Sequence, residues 1–201
     1  MKENELKEFL SSGFDGFEVH LDPAGERADI VLNRPPLNVI EMNQRDELRS
    51  VFEALDELSD VRVIVLRGVG EHFSSGGNIR GFLEASPEHV SKLADNVAAP
   101  ARCSKPVIAA NRGYTFGVGF ELSLACDFRI ASETALYALP EQKLGQIPGS
   151  GGSARLQKTI GITRTKDMVM RAKRISGPLA LEWGFVTECV ADDELERATD
   201  A

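Results

Sequence analysis

Two carboxylates, Glu121 and Glu141, stand twenty positions apart, each beside a glycine-rich bend. They lie within KPVIAANRGYTFGVGFELSLACDFRIASETALYALPEQKLGQIPGSGG, from Lys105 to Gly152. An apolar run, Val107 to Ala110, ends in a turn bearing Gly113, Gly117 and Gly119, and Glu121 follows where the short apolar segment Leu122 to Cys126 begins. Strand, glycine turn and helix start form a place where backbone can approach a ligand. The first N–H groups of the helix lack internal partners and can meet a developing negative charge. Glu141 follows Pro140 and precedes a second bend at Gly145, Pro148, Gly149, Gly151 and Gly152. Two acids sharing one water split their pKa values, so that one accepts a proton while the other donates. Taken singly, each feature has a plainer reading: tight turns, a helix N-terminal acid favoured by the macrodipole, and a solvated loop acid.

The elements that must hold these groups follow from patterning. Residues 1–16 read as a polar leader. FEVHL, Phe17 to Leu21, alternates, DPAGE is a turn, and Ala28 to Asn33 reads as the second strand of a hairpin. Arg34, Pro35 and Pro36 force an extended exit, and Asn43 is placed to cap a helix whose Leu48, Val51, Phe52, Leu55 and Leu58 share one face. Val61 to Leu66 is a buried strand. A loop, Gly68 to Gly77, leads to Asn78 as N-cap of a helix carrying Ile79, Phe82 and Leu83, so strand, glycine turn and helix start occur twice. Pro87 to Arg102, Ala154 to Ile160, Thr165 to Ala172 and Pro178 to Trp183 read as helices, and Val186 to Val190 as a last strand. This alternation predicts an α/β fold with parallel strands and helical crossovers, leaving open whether the sheet is doubly wound or coiled into a ββα spiral.

EHFSSGGNI, KPVIAANRGYTFGVGFELSLACD, LPEQKLGQIPGSGG and RISGPLALEWGFVTECV, in that order, resemble the crotonase or enoyl-CoA hydratase superfamily over roughly Ile30 to Ala191. The resemblance implies the ClpP/crotonase ββα spiral, with residues 17–191 as its core. It also implies a C-terminal helical trimerisation segment, of which residues 192–201 would be only the start. By the same resemblance, the backbone N–H groups of Ser75 and Val118 form an oxyanion hole for a thioester enolate. Glu121 and Glu141 activate water and move the proton, and the N–H of Gly149 helps hold that water. Gly76, Gly77, Asn78 and Gly117 complete the substrate-binding turns. Asn78 departs from the Asp common in the family and is carried over as a loop stabiliser. The family's usual lysine after the L-N-R-P motif is missing from LNRPPLNVI, and Arg34 is the residue that could compensate.

The reaction so implied is hydration of the α,β double bond of an acyl-CoA thioester, with no separate cofactor, since CoA is part of the substrate. Enoyl-CoA isomerisation and acyl-CoA hydrolysis use the same oxyanion hole, and a non-catalytic scaffold or RNA-binding relative is the alternative of another class. A homotrimer or dimer of trimers is the implied assembly, in the cytoplasm. Phe82, Leu83, Phe116, Leu139 and Trp183 are candidates to line the acyl pocket.

Composition narrows the field further. The 201 residues, 42% hydrophobic and 27% charged, suit one soluble domain. A net charge of −8 speaks against a nucleic-acid partner, which needs clustered Lys and Arg in excess. Cys103, Cys126 and Cys189 have no C-x-x-C or metal-like spacing and read as reduced thiols. No apolar run of about 18 residues predicts a membrane span. G-x-S-x-G, G-x-G-x-x-G and G-x-x-x-x-G-K-[ST] are all absent. Of the three histidines, only His72 lies near a glycine turn, and packing is its expected role.

Overall fold

The computed structural model describes residues 3–201. In chain order the elements are α1 (Glu3–Leu10), β1 (Phe17–Leu21), β2 (Arg27–Leu32), α2 (Met42–Glu57), β3 (Val63–Gly68), α3 (Ile79–Glu84), α4 (Pro87–Ser91), α5 (Leu93–Val97), β4 (Val107–Asn111), β5 (Tyr114–Phe116) and α6 (Val118–Ala125). The second half adds β6 (Phe128–Ser132), β7 (Leu136–Ala138), α7 (Gly152–Met170), β8 (Ile175–Ser176), α8 (Gly177–Trp183), β9 (Glu188–Val190) and α9 (Leu195–Asp200).

Six strands make one sheet in the order β1-β2-β3-β4-β6-β9, antiparallel only at the β1–β2 hairpin. A second, smaller sheet runs β5-β7-β8. Ser74 extends it through a parallel bridge to Thr115. Each turn of the chain therefore lays one strand in the large sheet, a short one in the small sheet, and then a helix. The ββα spiral is the answer to the alternative that periodicity left open. Equivalent points on successive turns lie a strand spacing apart, about 4.8 Å, and this brings the two glycine turns together.

Two large apolar clusters fill the layers. One joins α1 and α2 to the large sheet through Leu6, Phe17, Phe52, Leu55, Leu66 and Phe73. The other surrounds Phe120, Tyr137 and Phe185, whose ring centroids lie 5.1, 5.6 and 5.2 Å apart pairwise. Such pairs contribute roughly 0.5–1.5 kcal/mol each beyond area burial. All eight residues of α6 are buried, so the helix that carries Glu121 is clamped on every side.

Several expectations need correction. The leader is not simply polar: α1 buries Leu6 and Leu10, four residues apart on one face. Residues 1–2 of it lie outside the described residues. α2 starts at Met42 with Glu41 as N-cap, not Asn43, because Gln44 three residues on accepts the Glu41 N–H at 3.2 Å. The single helix expected over 87–102 is α4, α5 and a 3-10 turn at Pro100–Arg102. Pro100 has no N–H and crowds the preceding turn, which stops an α-helix before it. The two helices expected over 154–172 form one run with a break at Gly161 (φ 78°, ψ 166°). β6 was not foreseen, and the last strand is shorter than 186–190. The stretch 192–201 folds as a 3-10 turn, Asp192–Glu194, followed by α9, whose Leu195 packs on Ala110 and Ile130. Among the described residues no helix is long and apolar enough to cross a membrane.

Candidate active site

The first glycine turn follows Ser74 and the second follows β5. Their strands are zipped by Ser74 N–H to the Tyr114 carbonyl and Phe116 N–H to the Ser74 carbonyl, both at 2.9 Å. Beyond that zipper the turns meet closely. A methyl group placed on Gly76 would stand 3.3 Å from the Phe116 carbonyl oxygen, and one on Gly117 would stand 3.8 Å from Gly76 Cα and 3.3 Å from Glu141 Oε1. Gly117 has φ 51° and ψ −129°, backbone that a side chain resists. Gly76, Gly117 and Glu141 are thus brought to one place, with Val118 next in the chain. Asn78 caps α3, accepting from the Arg80 and Gly81 N–H groups at 3.0 and 3.3 Å. Its amide donates to both Glu41 oxygens, at 3.0 and 2.8 Å. The uncharged side chain suits this site because a carboxylate already faces it.

The Val118 N–H opens α6 and has no protein acceptor among the described residues. The Ser75 N–H is different: it donates to the Leu37 carbonyl at 2.8 Å. The turn that delivers this carbonyl is closed by Asn38 N–H to the Arg34 carbonyl at 2.8 Å, and the Asn38 side chain anchors it to the Val69 and His72 carbonyls. The expected pair of open amides is therefore half open. Arg34 is tied to Asp15 at 2.7 Å, which makes it structural.

Glu121 is one helical turn beyond Val118 and 2% exposed. Its Oε1 accepts the N–H groups of Ser150 and Gly152, at 2.8 and 2.9 Å. Motif reading assigned no such role to either amide; the only hint is the glycine at 152, where a methyl group would stand 2.7 Å from Glu121 Cγ. Burial pushes the Glu121 carboxyl up, against those two amides and the charge of Arg45. Gly149 lies on the same loop, exposed, with open space around its Cα.

Glu141 begins a 3-10 turn, Glu141–Leu144, and its Oε2 is buried without a partner. Desolvation pushes its pKa up to about 7, and the neighbouring Glu121 charge adds to the rise. The two acids are inequivalent: Glu121 is met by two backbone amides that favour its anion against burial, whereas Glu141 has an oxygen without a partner and is raised by desolvation. Linkage gives the sign of a stability effect. A carboxyl raised from an ordinary 4.5 to about 7 costs nothing below the lower value, and its destabilisation grows as pH rises through that window. Glu141→Gln should therefore leave thermal stability near that of the parent at pH 4.5 and raise it at pH 8, by on the order of 2 kcal/mol once partial water contact is discounted. Equal melting shifts at both pH values would refute this.

Other candidates fall elsewhere. Leu83 is 80% exposed, whereas Leu139 is fully buried in the core. Phe116 stacks on Tyr114 at 4.8 Å, and Trp183 takes Arg164 over its ring at 4.8 Å. His72 stacks on Tyr114 at 4.2 Å and accepts its N–H through Nδ1 at 3.2 Å, so its role is packing. A cavity of about 460 Å³ is lined by Glu71, His72, Arg112, Tyr114 and Asp192, and by neither glutamate. Among the described residues no His, Cys and carboxylate cluster could hold a metal.

Comparison with known proteins places this arrangement. The family model described as enoyl-CoA hydratase/isomerase matches residues 26–200. A carnitinyl-CoA dehydratase of Shigella flexneri is 39% identical over 184 residues, which is 88% of this chain and 69% of that protein. One from Escherichia coli K12 is 38% identical over the same span. Among solved structures, an enoyl-CoA hydratase from Bacillus anthracis superposes with a TM-score of 0.85 at 34% identity, covering 92% of this chain and 74% of that one. DspI of Pseudomonas aeruginosa gives 0.85 at 30% identity, over 92% and 72%.

Proposed function

Because the chain belongs to the enoyl-CoA hydratase/isomerase family, we propose that it adds water across the α,β double bond of an acyl-CoA thioester, and removes it in reverse. Enzymes of the hydratase and dehydratase kind are its relatives. The finer reading rests on the unlike surroundings of the two glutamates.

Glu121, ionised, takes a proton from a water held between the acids. The hydroxyl attacks the β carbon, and the electron pair of the double bond moves onto the thioester oxygen. Val118 N–H meets that charge directly. Ser75 N–H joins it as the thioester oxygen displaces the Leu37 carbonyl, an exchange of one acceptor for a more negative one. Glu141 then delivers its proton to the α carbon, so that H and OH have been added in full. No separate cofactor enters this sequence. The dehydratase relatives favour a β-hydroxyacyl thioester as the substrate of the reverse reaction, and assembly as a homotrimer or dimer of trimers belongs to the same proposal.

Incubating the protein with 2-enoyl and 3-enoyl thioesters in H₂¹⁸O tests the reading. The label is expected at the β carbon of the product. Double-bond migration without label, or free CoA as the product, would replace hydration by isomerisation or hydrolysis. Binding of RNA or protein with no thioester turned over would favour a scaffold.

A further inference from the structure

Arg45 is set in the second turn of α2, on the inward face with Leu48, and only 6% of it is exposed. Its guanidinium packs against the back of the first glycine turn: a methyl group on Gly77 would collide with its Nη2 and stand 3.4 Å from Val118 Cγ1. Arg45 and Val118 also bound a cavity of about 10 Å³, with Ile40, Val97 and Leu122 as apolar walls and Asn96 as a polar one. That is room for about one water. The cation therefore lies against the first glycine turn and beside the start of α6.

It has no protein partner there. Among the described residues the Arg45 guanidinium makes no hydrogen bond or ion pair, and its Nε is buried and unpartnered. Arg129 shows what a buried structural arginine looks like in this same protein. Its donors go to the carbonyls of Phe185, Ser123, Cys126 and Asp127, at 2.5, 3.0, 2.8 and 3.2 Å. A buried cation without a protein partner is costly to keep, and a methionine would suit the apolar walls better.

The charged groups around it are few. Glu41 and Asp46 flank it in sequence, but Glu41 receives the Asn78 amide, and Asp46 pairs with His89 at 2.6 Å and Asn96 at 2.5 Å. From α6 comes Glu121, whose negative charge Arg45 favours. Arg155, on α7, also interacts with the Glu121 charge while its Nη1 donates to the Ser150 carbonyl at 2.9 Å, and Glu141 feels Glu121 in turn.

We propose that Arg45 is a positioning residue of the active site, a fixed cation set between the first glycine turn and the start of α6 that favours negative charge on Glu121 and at the Val118 amide. The idea rests on the hydratase reading for its catalytic consequence. Its electrostatic half stands without it. Field from a preorganised charge in a dry site costs no reorganisation during the reaction.

Arg45→Met and Arg45→Lys test it. The Met variant should melt at or above the parent, because an unpaired buried cation has gone. Its kcat should fall about tenfold or more while KM changes less than about threefold. The acidic limb of its kcat/KM profile should move up by about one pH unit, the equivalent of that tenfold. Lys should restore the limb in part. A Met variant with parental kcat and limb overturns the proposal, and so does a loss of activity that only follows a loss of melting temperature. If the parent turns over no enoyl thioester, the reading of function fails but Arg45 is still tested. In protein labelled with ¹³C-carboxyl glutamate, with the Glu121 signal assigned by Glu121→Gln, that signal should titrate at higher pH in the Met variant. If Met prevents folding, the Lys variant and Arg45→Gln serve in the same titration. Identical titration curves overturn the proposal.

Discussion

Glu121→Gln should lower kcat on an enoyl-CoA thioester by about 10²- to 10⁴-fold, the range lost with a general base. The substitution is nearly isosteric, and its carbonyl can still accept the N–H groups of Ser150 and Gly152 that now meet Oε1. The fold should therefore survive, and the loss should appear in kcat rather than in KM. The pH profile separates the two acids. With Glu121 required as anion and Glu141 as acid, kcat/KM follows a bell whose alkaline limb falls near 7, where Glu141 gives up its proton. Residual activity in Glu121→Gln should lack the acidic limb, and that in Glu141→Gln the alkaline one. Full turnover in either variant would remove that residue from the mechanism.

Gly152→Ala is the second large effect. Alanine is the better helix former, and at the first residue of α7 propensity alone favours it. Space rules it out: the new methyl group would stand 2.7 Å from Glu121 Cγ and 3.0 Å from its Oε1. The carboxylate must swing away or α7 must back off, and either move breaks the two amide contacts that hold the anion. We expect kcat to drop by at least about 10²-fold, with stability lowered by about 1–3 kcal/mol for an overpacked site. Circular dichroism and a melting curve beside the kinetics check both. Parental activity would show that Glu121 works without this support.

How much of this was legible beforehand can be judged from particular residues. Strand, glycine turn and helix start are local events, set by backbone sterics and by the choice of glycine, so Glu121, Gly117 and the Asn78 cap were readable in the chain. The β1–β2 hairpin was too, since five alternating residues facing an apolar run carry their own register. α1 was missed because its two buried leucines are too few to make a period. β6 was missed because FRIAS, with an exposed Phe128 and a charged Arg129, does not look buried until that arginine finds four carbonyls.

The amino-acid sequence by itself determined which residue types stand at the bends, and hence that two acids lie beside two glycine turns. Only the tertiary structure decided how they are used. The spiral stacks Gly76 on Gly117 and lends Glu121 the amides of a loop about thirty residues away. It also gives the Ser75 N–H to the Leu37 carbonyl and buries Arg45 without a partner. The physical reason is range. Turns and caps are governed by contacts within a few residues, whereas desolvation, pairing of charges and occupation of an amide depend on what distant segments bring, and no local pattern records that.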